Sequence, residues 1–153
     1  MAETTVSGVV HPILENDYAS EWMGLEVLAL SDGHATIRMT LRQEMLNGFG
    51  MAHGGMIFAF ADSAFALACN PASPAPGEEN NITVAAGVDI NFLKPAYRGQ
   101  VITAVADRRS SAGRSGLYDI QIFAADAGAQ TGSEMPGELI AEFRGRSRTI
   151  PKK

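Results

Sequence analysis

Apolar positions alternate with polar ones over most of the chain and follow helical spacing in only two segments. Alternation with a period of two is typical of strands with one buried face. It predicts six strands: Leu25–Leu30, Ala35–Leu41, Ile82–Leu93, Gln100–Arg109, Ser115–Ala127 and Gly137–Ile150. Helical spacing predicts a short helical segment over Pro12–Met23 and a long central helix over His53–Cys69. One long helix with about six antiparallel strands is an α+β layout, in which the helix covers one face of the sheet.

The segments between these elements contain the residues that favour turns and loops. Gln43–Ala52 carries Asn47 and two glycines, and Asn70–Asn81 carries three prolines, which prevent the helix from continuing. Shorter turns are predicted at the following positions: Ser31–His34, Lys94–Gly99, Ser110–Arg114 and Gly128–Pro136. The sequence has neither a linker nor an internal repeat, so we expect residues 1–153 to form a single domain.

The stretch Asn47–Asp62, with the sequence NGFGMAHGGMIFAFAD, places a carboxylate inside an apolar helix. Between Met56 and Cys69 only Asp62 and Ser63 are polar. The positions one helical turn away from the acid are all apolar: Phe58, Ala59, Phe65 and Ala66. An ionised carboxylate in such surroundings costs free energy unless it is paired or used in chemistry. Asp62 is therefore a candidate functional residue.

Composition narrows the class of protein. The 153 residues are 46% hydrophobic and 19% charged, which is typical of a globular chain. A net charge of −5 argues against nucleic-acid binding, and no apolar run is long enough to span a membrane. The opening residues MAETTVSGVVHP lack the basic start and apolar middle of a signal peptide. Together with a single cysteine, Cys69, this predicts a cytoplasmic protein.

The spacing of Asn47, His53-Gly54-Gly55 and Asp62 resembles the signature of the hotdog-fold acyl-CoA thioesterases. The likeness is to the phenylacetate-degradation (PaaI-like) branch of that family. It extends to Met45-Leu46-Asn47, to the segment Val88–Ala96 and to Gly113-Arg114-Ser115, and covers roughly Met23 to Arg148.

The resemblance implies a curved antiparallel sheet wrapped around the central helix and paired across strand edges into a homodimer. Relatives often pair such dimers into homotetramers. The substrate would be an acyl-CoA, with an aromatic, phenylacetyl-like acyl group, bound between subunits. No cofactor is implied, because coenzyme A is part of the substrate.

The residues of the motif suit thioester hydrolysis. Gly54 and Gly55 lack Cβ atoms, so the backbone approaches a substrate closely at the positive end of the helix. By resemblance, the Gly54 amide donates to the thioester oxygen, Asn47 holds that oxygen or the water, and His53 orients the turn. Asp62 either attacks the carbonyl carbon or takes a proton from water.

Geometry adds a condition to this assignment. Gly54 and Asp62 are eight residues apart, so on one helix they lie about 12 Å from each other. Reacting atoms must come within about 3–3.5 Å. An antiparallel helix from a second copy would bring Asp62 of one subunit to Gly54 of the other. We therefore expect active sites shared between subunits.

The remaining assignments concern the rest of the substrate. Lys94, Arg98 and Arg114 lie in predicted turns that the family uses near the tunnel mouth, and are candidates for binding the coenzyme A phosphates. The candidates for an acyl pocket are Phe49, Met51, Phe58, Phe60 and Phe65. Some relatives place the attacking water with a further Ser or Thr. Here the corresponding helix position is Ala66, and the nearest strand candidate is Thr83.

Three other functions compete with hydrolysis. A hydratase or dehydratase on the same fold needs a catalytic His, and His53 is the only one near Asp62, in the wrong order. A non-catalytic acyl-CoA-binding module would not need an intact motif. A metal hydrolase is disfavoured, because His11, His34 and His53 are scattered and lack ligand spacing.

Overall fold

The computed structural model describes residues 6–128 and 137–153. Its helices are α1 (Tyr18–Met23) and α2 (Gly54–Cys69), with 3-10 turns at Pro12–Leu14 and Gln43–Met45. Its strands are β1 (Ser7–Gly8), β2 (Glu26–Ser31), β3 (His34–Thr40), β4 (Asn81–Phe92), β5 (Val101–Ala112), β6 (Ser115–Ala125) and β7 (Glu138–Pro151). Apart from Gly128, the predicted turn Gly128–Pro136 lies outside the described residues.

The strands form one sheet in the order β1-β2-β3-β5-β6-β7-β4. Every pairing is antiparallel except that of β1 with β2. The predicted α+β architecture is confirmed, and all six predicted strands are present. The strand that the sequence pattern missed is β1, whose two residues are too few to establish an alternation.

Helix α2 lies across one face of the sheet and supplies much of the core. Phe60 and Phe65 are almost fully buried. The Phe65 ring packs against Tyr118 and Phe143, with ring centroids 5.4 and 5.9 Å away. A Cβ atom on Gly145 of β7 would lie 2.6 Å from the Phe65 ring, so this strand position has room only for glycine. The close approach of α2 to the sheet therefore depends on residues of both elements, the Phe65 ring on the helix and Gly145 on the strand.

The predicted N-terminal helical segment, Pro12–Met23, consists of two shorter pieces. The chain turns between them at Asn16, which adopts φ 63° and is the single non-glycine residue with positive φ in the described ranges. Asp17 then caps α1, and Gly24 ends it in the left-handed conformation with φ 72°. Leu14 and Met23 are both buried, so the apolar spacing correctly indicates the inward side of each piece.

Strand β4 is the outermost strand at one edge of the sheet. It is 12 residues long and pairs with β7, and no other described strand pairs with it. None of its residues is buried, and the apolar side chains of Val84 and Phe92 are exposed. A long edge with exposed apolar side chains is a surface on which a further strand can pair.

Within the described ranges, neither helix has the length and apolar character needed to cross a membrane.

Candidate functional site

The N-terminus of α2 is capped by His53. The Nδ1 atom of its ring accepts a hydrogen bond from the Gly55 N–H at 3.0 Å. In this arrangement Nδ1 carries no proton, so a neutral ring has its proton on Nε2. The predicted role of His53 in orienting the turn agrees with this geometry. The Gly55 N–H is occupied and cannot at the same time donate to a ligand.

The cap leaves one donor at the start of the helix. The N–H groups of Met56 and Ile57 both donate to the His53 carbonyl oxygen, at 2.9 and 3.2 Å. Among the described residues, the N–H of Gly54 has no hydrogen-bond partner. The positive end of the helix dipole adds to the capacity of such an N–H to stabilise a developing negative charge.

Asn47 organises the loop in front of this helix. Its Oδ1 atom accepts hydrogen bonds from the backbone N–H groups of Phe49 and Met51, at 2.9 and 3.2 Å. These two donors fix the orientation of the side-chain amide. Its Nδ2 group has no acceptor in the part of the chain that the structure describes, so it remains available as a donor. Asn47 thus shapes the loop with one atom and offers a donor with the other.

A cavity of about 300 Å³ lies between this loop, the start of α2 and the end of β4. Its lining is almost entirely apolar and comprises Met51, Ala52, Gly54, Ile57, Phe92, Leu93, Lys94 and Pro95. The far edge of the Phe92 ring faces Gly54 so closely that a Cβ atom there would lie 3.3 Å from Phe92 Cζ. The unpartnered N–H therefore belongs to a residue on the wall of an apolar cavity.

Asp62 lies on the outward side of α2 and is exposed in the single chain. The sequence placed this acid in apolar surroundings, yet within one chain its carboxylate reaches the surface. It makes no hydrogen bond or ion pair with any other residue that the structure describes. Partial burial, and secondarily the negative charge of Asp17, raise the pKa of the Asp62 carboxyl.

The face of α2 that carries Asp62 is otherwise apolar and only partly covered. Phe58 is 37% exposed, although its ring contacts Phe143 with a centroid distance of 5.4 Å. Ala59 and Ala66 on the same face are half-buried. Because α2 is continuous from Gly54 to Cys69, the eight-residue separation keeps Asp62 about 12 Å from Gly54 in one chain. One chain does not bring the two groups together.

Thr83, the strand candidate for placing water, has another partner, and so does Ser63, the polar neighbour of Asp62 in the sequence. The hydroxyl of Thr83 is 2.9 Å from that of Thr149, and the Ser63 hydroxyl is 3.0 Å from that of Ser20. Neither hydroxyl bonds Asp62. At the corresponding helix position, Ala66 has no polar side-chain atom.

The three basic candidates do not form one cluster within the chain. Lys94 forms an ion pair with Glu138, and Arg98 donates to Gln43 at 3.2 Å. Both lie near the start of β5, whereas Arg114 follows its end. A 12-residue strand spans about 40 Å, so Arg114 is at the opposite end of the sheet.

The candidates for an acyl pocket also lie in different parts of the molecule. Phe60 and Phe65 belong to the core under the sheet, whereas Phe49 is 86% exposed at the tip of the loop. Met51 is the one candidate of this group that lines the cavity beside Gly54. No group of three or more His, Cys, Asp or Glu side chains within the described residues could hold a metal ion.

Comparison with known proteins identifies the family. The model of the thioesterase superfamily matches residues 49–129. The acyl-coenzyme A thioesterase PaaI of Escherichia coli is 34% identical over 140 residues, which are 92% of this chain and 88% of the relative. The chain belongs to the thioesterase superfamily. This confirms the predicted hotdog fold and the predicted enzyme class, a thioester hydrolase.

Solved structures of thioesterase-superfamily relatives agree with this fold. The PaaI protein from the phenylacetic acid degradation operon of E. coli superposes with a TM-score of 0.77 at 33% identity. That match covers 93% of this chain and 91% of the other. A variant of the phenylacetic acid degradation protein PaaI from Thermus thermophilus gives a TM-score of 0.71 at 30% identity. It covers 86% of this chain and 98% of the other.

Two residues of this thioesterase-superfamily chain near the site were missed from the sequence. Phe92 is one of many apolar strand residues, and only tertiary packing places its ring against Gly54. From the sequence alone, Asp17 is recognisable only as a helix cap. Its charge comes close enough to act on Asp62 because α1 docks on α2. The sequence signal for Asp17 was its position directly before an apolar helical run.

Proposed function

We propose that this protein hydrolyses acyl-CoA thioesters to the free acid and coenzyme A, at sites shared between two copies of the chain. The observation that carries the proposal is a pair of groups on one helix that have no hydrogen-bond partner among the described residues. The Gly54 N–H, a donor, lies at the positive end of α2 beside an apolar cavity, and Asp62, an acceptor, lies two turns along. A thioester carbonyl needs both kinds of group at once.

The chemistry divides between these groups. The Gly54 N–H donates to the carbonyl oxygen and stabilises the negative charge that develops there as the carbon becomes tetrahedral. The Nδ2 group of Asn47 donates to the same oxygen or to the water. Asp62 of the other copy either takes a proton from the attacking water or attacks the carbon itself to form an anhydride that water then cleaves. The C–S bond breaks, and the thiolate of coenzyme A leaves and takes up a proton.

Two surfaces support the proposed homodimer. No described strand pairs with the free edge of β4, on which the Asn70 side chain bonds only Thr83, and the apolar face of α2 around Phe58 is incompletely covered. If two copies pair about a two-fold axis that lies beside both surfaces, the sheet continues from one copy to the other and the two α2 helices lie antiparallel. Asp62 of each subunit would then face Gly54 of the other. We extend the proposal to a homotetramer, the assembly that the family resemblance implies.

The proposed acyl group is aromatic and phenylacetyl-like. Support comes from the operon of the E. coli relative and from the apolar cavity of about 300 Å³, whose wall includes the Phe92 ring. In a dimer, the opposite ends of two sheets come together, so Arg114 of one copy can join Lys94 and Arg98 of the other around the phosphates. The reaction needs no separate cofactor, and a lone cysteine favours a cytoplasmic location.

The decisive experiment is an assay of purified protein against a panel of acyl-CoAs while free thiol is detected. The panel contains phenylacetyl-, hydroxyphenylacetyl-, benzoyl-, and short and medium aliphatic CoA. Burial raises the pKa of the Cys69 thiol to about 12, so the protein's own cysteine contributes little signal. We expect thiol release that is fastest with the phenylacetyl compounds and abolished in Asp62→Asn.

Each other outcome excludes part of the proposal. Tight coenzyme A binding without thiol release from any compound would favour a non-catalytic acyl-CoA-binding module. Release that is equally fast for aliphatic substrates would overturn the aromatic assignment. Full activity in a folded Asp62→Asn protein would remove the acid from the mechanism.

A further inference from the structure

A chain of polar groups joins α1 to α2 beside Asp62. Ser20 is completely buried, and its Oγ atom lies 3.0 Å from the Ser63 Oγ on α2. The Ser20 hydroxyl donates to Asp17 Oδ2 at 2.7 Å, and the Ser20 N–H donates to Asp17 Oδ1 at 3.1 Å. A hydrogen bond between buried Ser20 and half-buried Ser63 fixes the position of α1 on α2 more specifically than apolar contact alone would.

Hydrogen bonds fix the Asp17 side chain at the start of α1. Both of its oxygens accept hydrogen bonds, and it occupies the N-cap of α1, where a negative charge is favoured. Asp62 directly precedes Ser63 in the chain. Unlike Asp17, its carboxylate has no hydrogen-bond or ion-pair partner among residues 6–128 and 137–153. The Asp17 carboxylate thus accepts two hydrogen bonds, whereas the Asp62 carboxylate accepts none within the described ranges.

We propose that Asp17 is a positioning residue for the reaction: through Ser20 and Ser63 it holds a fixed negative charge beside the segment of α2 that carries Asp62. The inference rests on the proposed function, because it requires Asp62 to act on the substrate or the water. Asp17 itself touches neither. Its role is to keep the proton affinity of Asp62 high when a substrate arrives.

The electrostatics of the described residues agree with this role. Asp17 is the one charged group that contributes to the raised pKa of Asp62, after partial burial. The Cys69 thiol also lies within electrostatic range of Asp62, and burial raises its pKa to about 12, so it is neutral at physiological pH. No Lys or Arg forms an ion pair with Asp62 in the described ranges. A general base is more effective as its pKa rises towards the working pH.

The test is the pH profile of kcat/KM for Asp17→Asn. Asparagine retains the helix cap but removes the charge. We expect the acidic limb of the profile to move to lower pH, and the plateau of kcat to fall by less than about tenfold, with little change in KM. The matched control is Glu21→Gln, which removes one negative charge from an exposed position of the same helix, and whose profile should match that of the unaltered protein.

The outcomes separate the inference from the proposed function. A profile for Asp17→Asn that coincides with that of the unaltered protein, with a lowered melting temperature, would make Asp17 a helix cap only and would overturn the inference. An equal shift in Glu21→Gln would also overturn it, because any charge on α1 would then suffice. If the unaltered protein releases no thiol from any acyl-CoA, the proposed function itself fails. Ser20→Ala should reproduce part of the shift, because it frees Asp17 from Ser63 without removing the charge.

Discussion

His53 Nδ1 accepts a hydrogen bond from the Gly55 N–H at 3.0 Å, and this contact decides which amide of the glycine pair is open. The sequence made both Gly54 and Gly55 candidates for contacting the substrate. With Gly55 bonded to the imidazole, the Gly54 N–H is the one that remains for the thioester oxygen. We therefore infer that His53 acts as a positioning residue, which leaves the Gly54 N–H as the proposed donor.

Replacement of His53 tests this selection. His53→Ala removes the cap, so we expect a loss of about 1 kcal/mol in the free energy of unfolding and a clear fall in kcat. His53→Asn, which restores a side-chain acceptor at the N-cap, should recover most of both. Denaturant unfolding and thiol-release kinetics measure the two effects. A fully active His53→Ala enzyme would show that the cap does not select the donor.

The contact between Gly54 and Phe92 gives a second prediction. A Cβ atom at Gly54 would lie 3.3 Å from Phe92 Cζ, which is tighter than ordinary packing, so Gly54→Ala should displace the ring and disturb the cavity. We expect a large loss of turnover, measured by thiol release, with the fold retained. The control is Gly48→Ala, where a Cβ atom would meet nothing within 4 Å.

The double variant Gly54→Ala/Phe92→Leu separates two causes of that loss. If the ring causes it, the smaller side chain should restore part of the turnover. If the added methyl group blocks the approach of the thioester to the Gly54 N–H, activity should stay low in the double variant. Normal activity in Gly54→Ala alone would contradict both.

Local signals in the sequence were sufficient for α2 but not for its surroundings. The His-Gly-Gly turn and the apolar run predict a helix over 53–69, and the structure has Gly54–Cys69 because His53 is the cap outside it. Asn47, Gly54 and Asp62 were identified in the same way, from spacing along one segment. The distance of about 12 Å between Gly54 and Asp62 followed from helix geometry alone.

What the sequence could not supply is the set of contacts between distant segments. Ser20 and Ser63 are 43 residues apart, and no periodic pattern links them. The N-terminal helical segment shows a related limit, which concerns the backbone conformation. Its apolar spacing indicates which side chains are buried, but the spacing does not show that a turn at Asn16, with φ 63°, divides the segment into two pieces.

Mixed dimers test whether the sites are shared between subunits. In a shared site, Asp62 comes from one chain and Asn47 from the other. A dimer of one Asp62→Asn chain and one Asn47→Ala chain therefore has one site with both defects and one intact site. Random mixing of the two inactive proteins should restore about a quarter of the native thiol-release activity, since half of the dimers are mixed and half of their sites work.

The control for that experiment mixes Asp62→Asn with unaltered chains, which should give activity in proportion to the intact Asp62. Subunit exchange is verified by differently tagged chains. If the two inactive variants exchange subunits and activity stays at zero, each site lies within one chain, and the geometric argument from α2 fails.

The raised pKa of Asp62 makes a prediction about stability. The folded protein holds the Asp62 proton to higher pH than the unfolded chain, whose carboxyl has the ordinary pKa of 3.8. Stability therefore decreases as the pH rises from that value through the raised one, and the full penalty is present above the raised value. Asp62→Asn should accordingly unfold at a higher temperature than the unaltered protein at pH 7, and the gain should shrink as the pH is lowered towards 3.8.

Asp119 provides a control for which the expected change in stability has the opposite sign. Its oxygens accept from Arg144 at 2.7 and 3.0 Å and from Arg109 at 2.8 Å, and these bonds lower the pKa of its carboxyl. The stabilisation is present above the ordinary value and is lost as the pH falls through the lowered one. Asp119→Asn should therefore destabilise the protein at pH 7, whereas Asp62→Asn stabilises it. A destabilised Asp62→Asn protein at pH 7 would mean that the carboxylate has a favourable partner in the assembled enzyme, and its readiness to act as a base would then need another source.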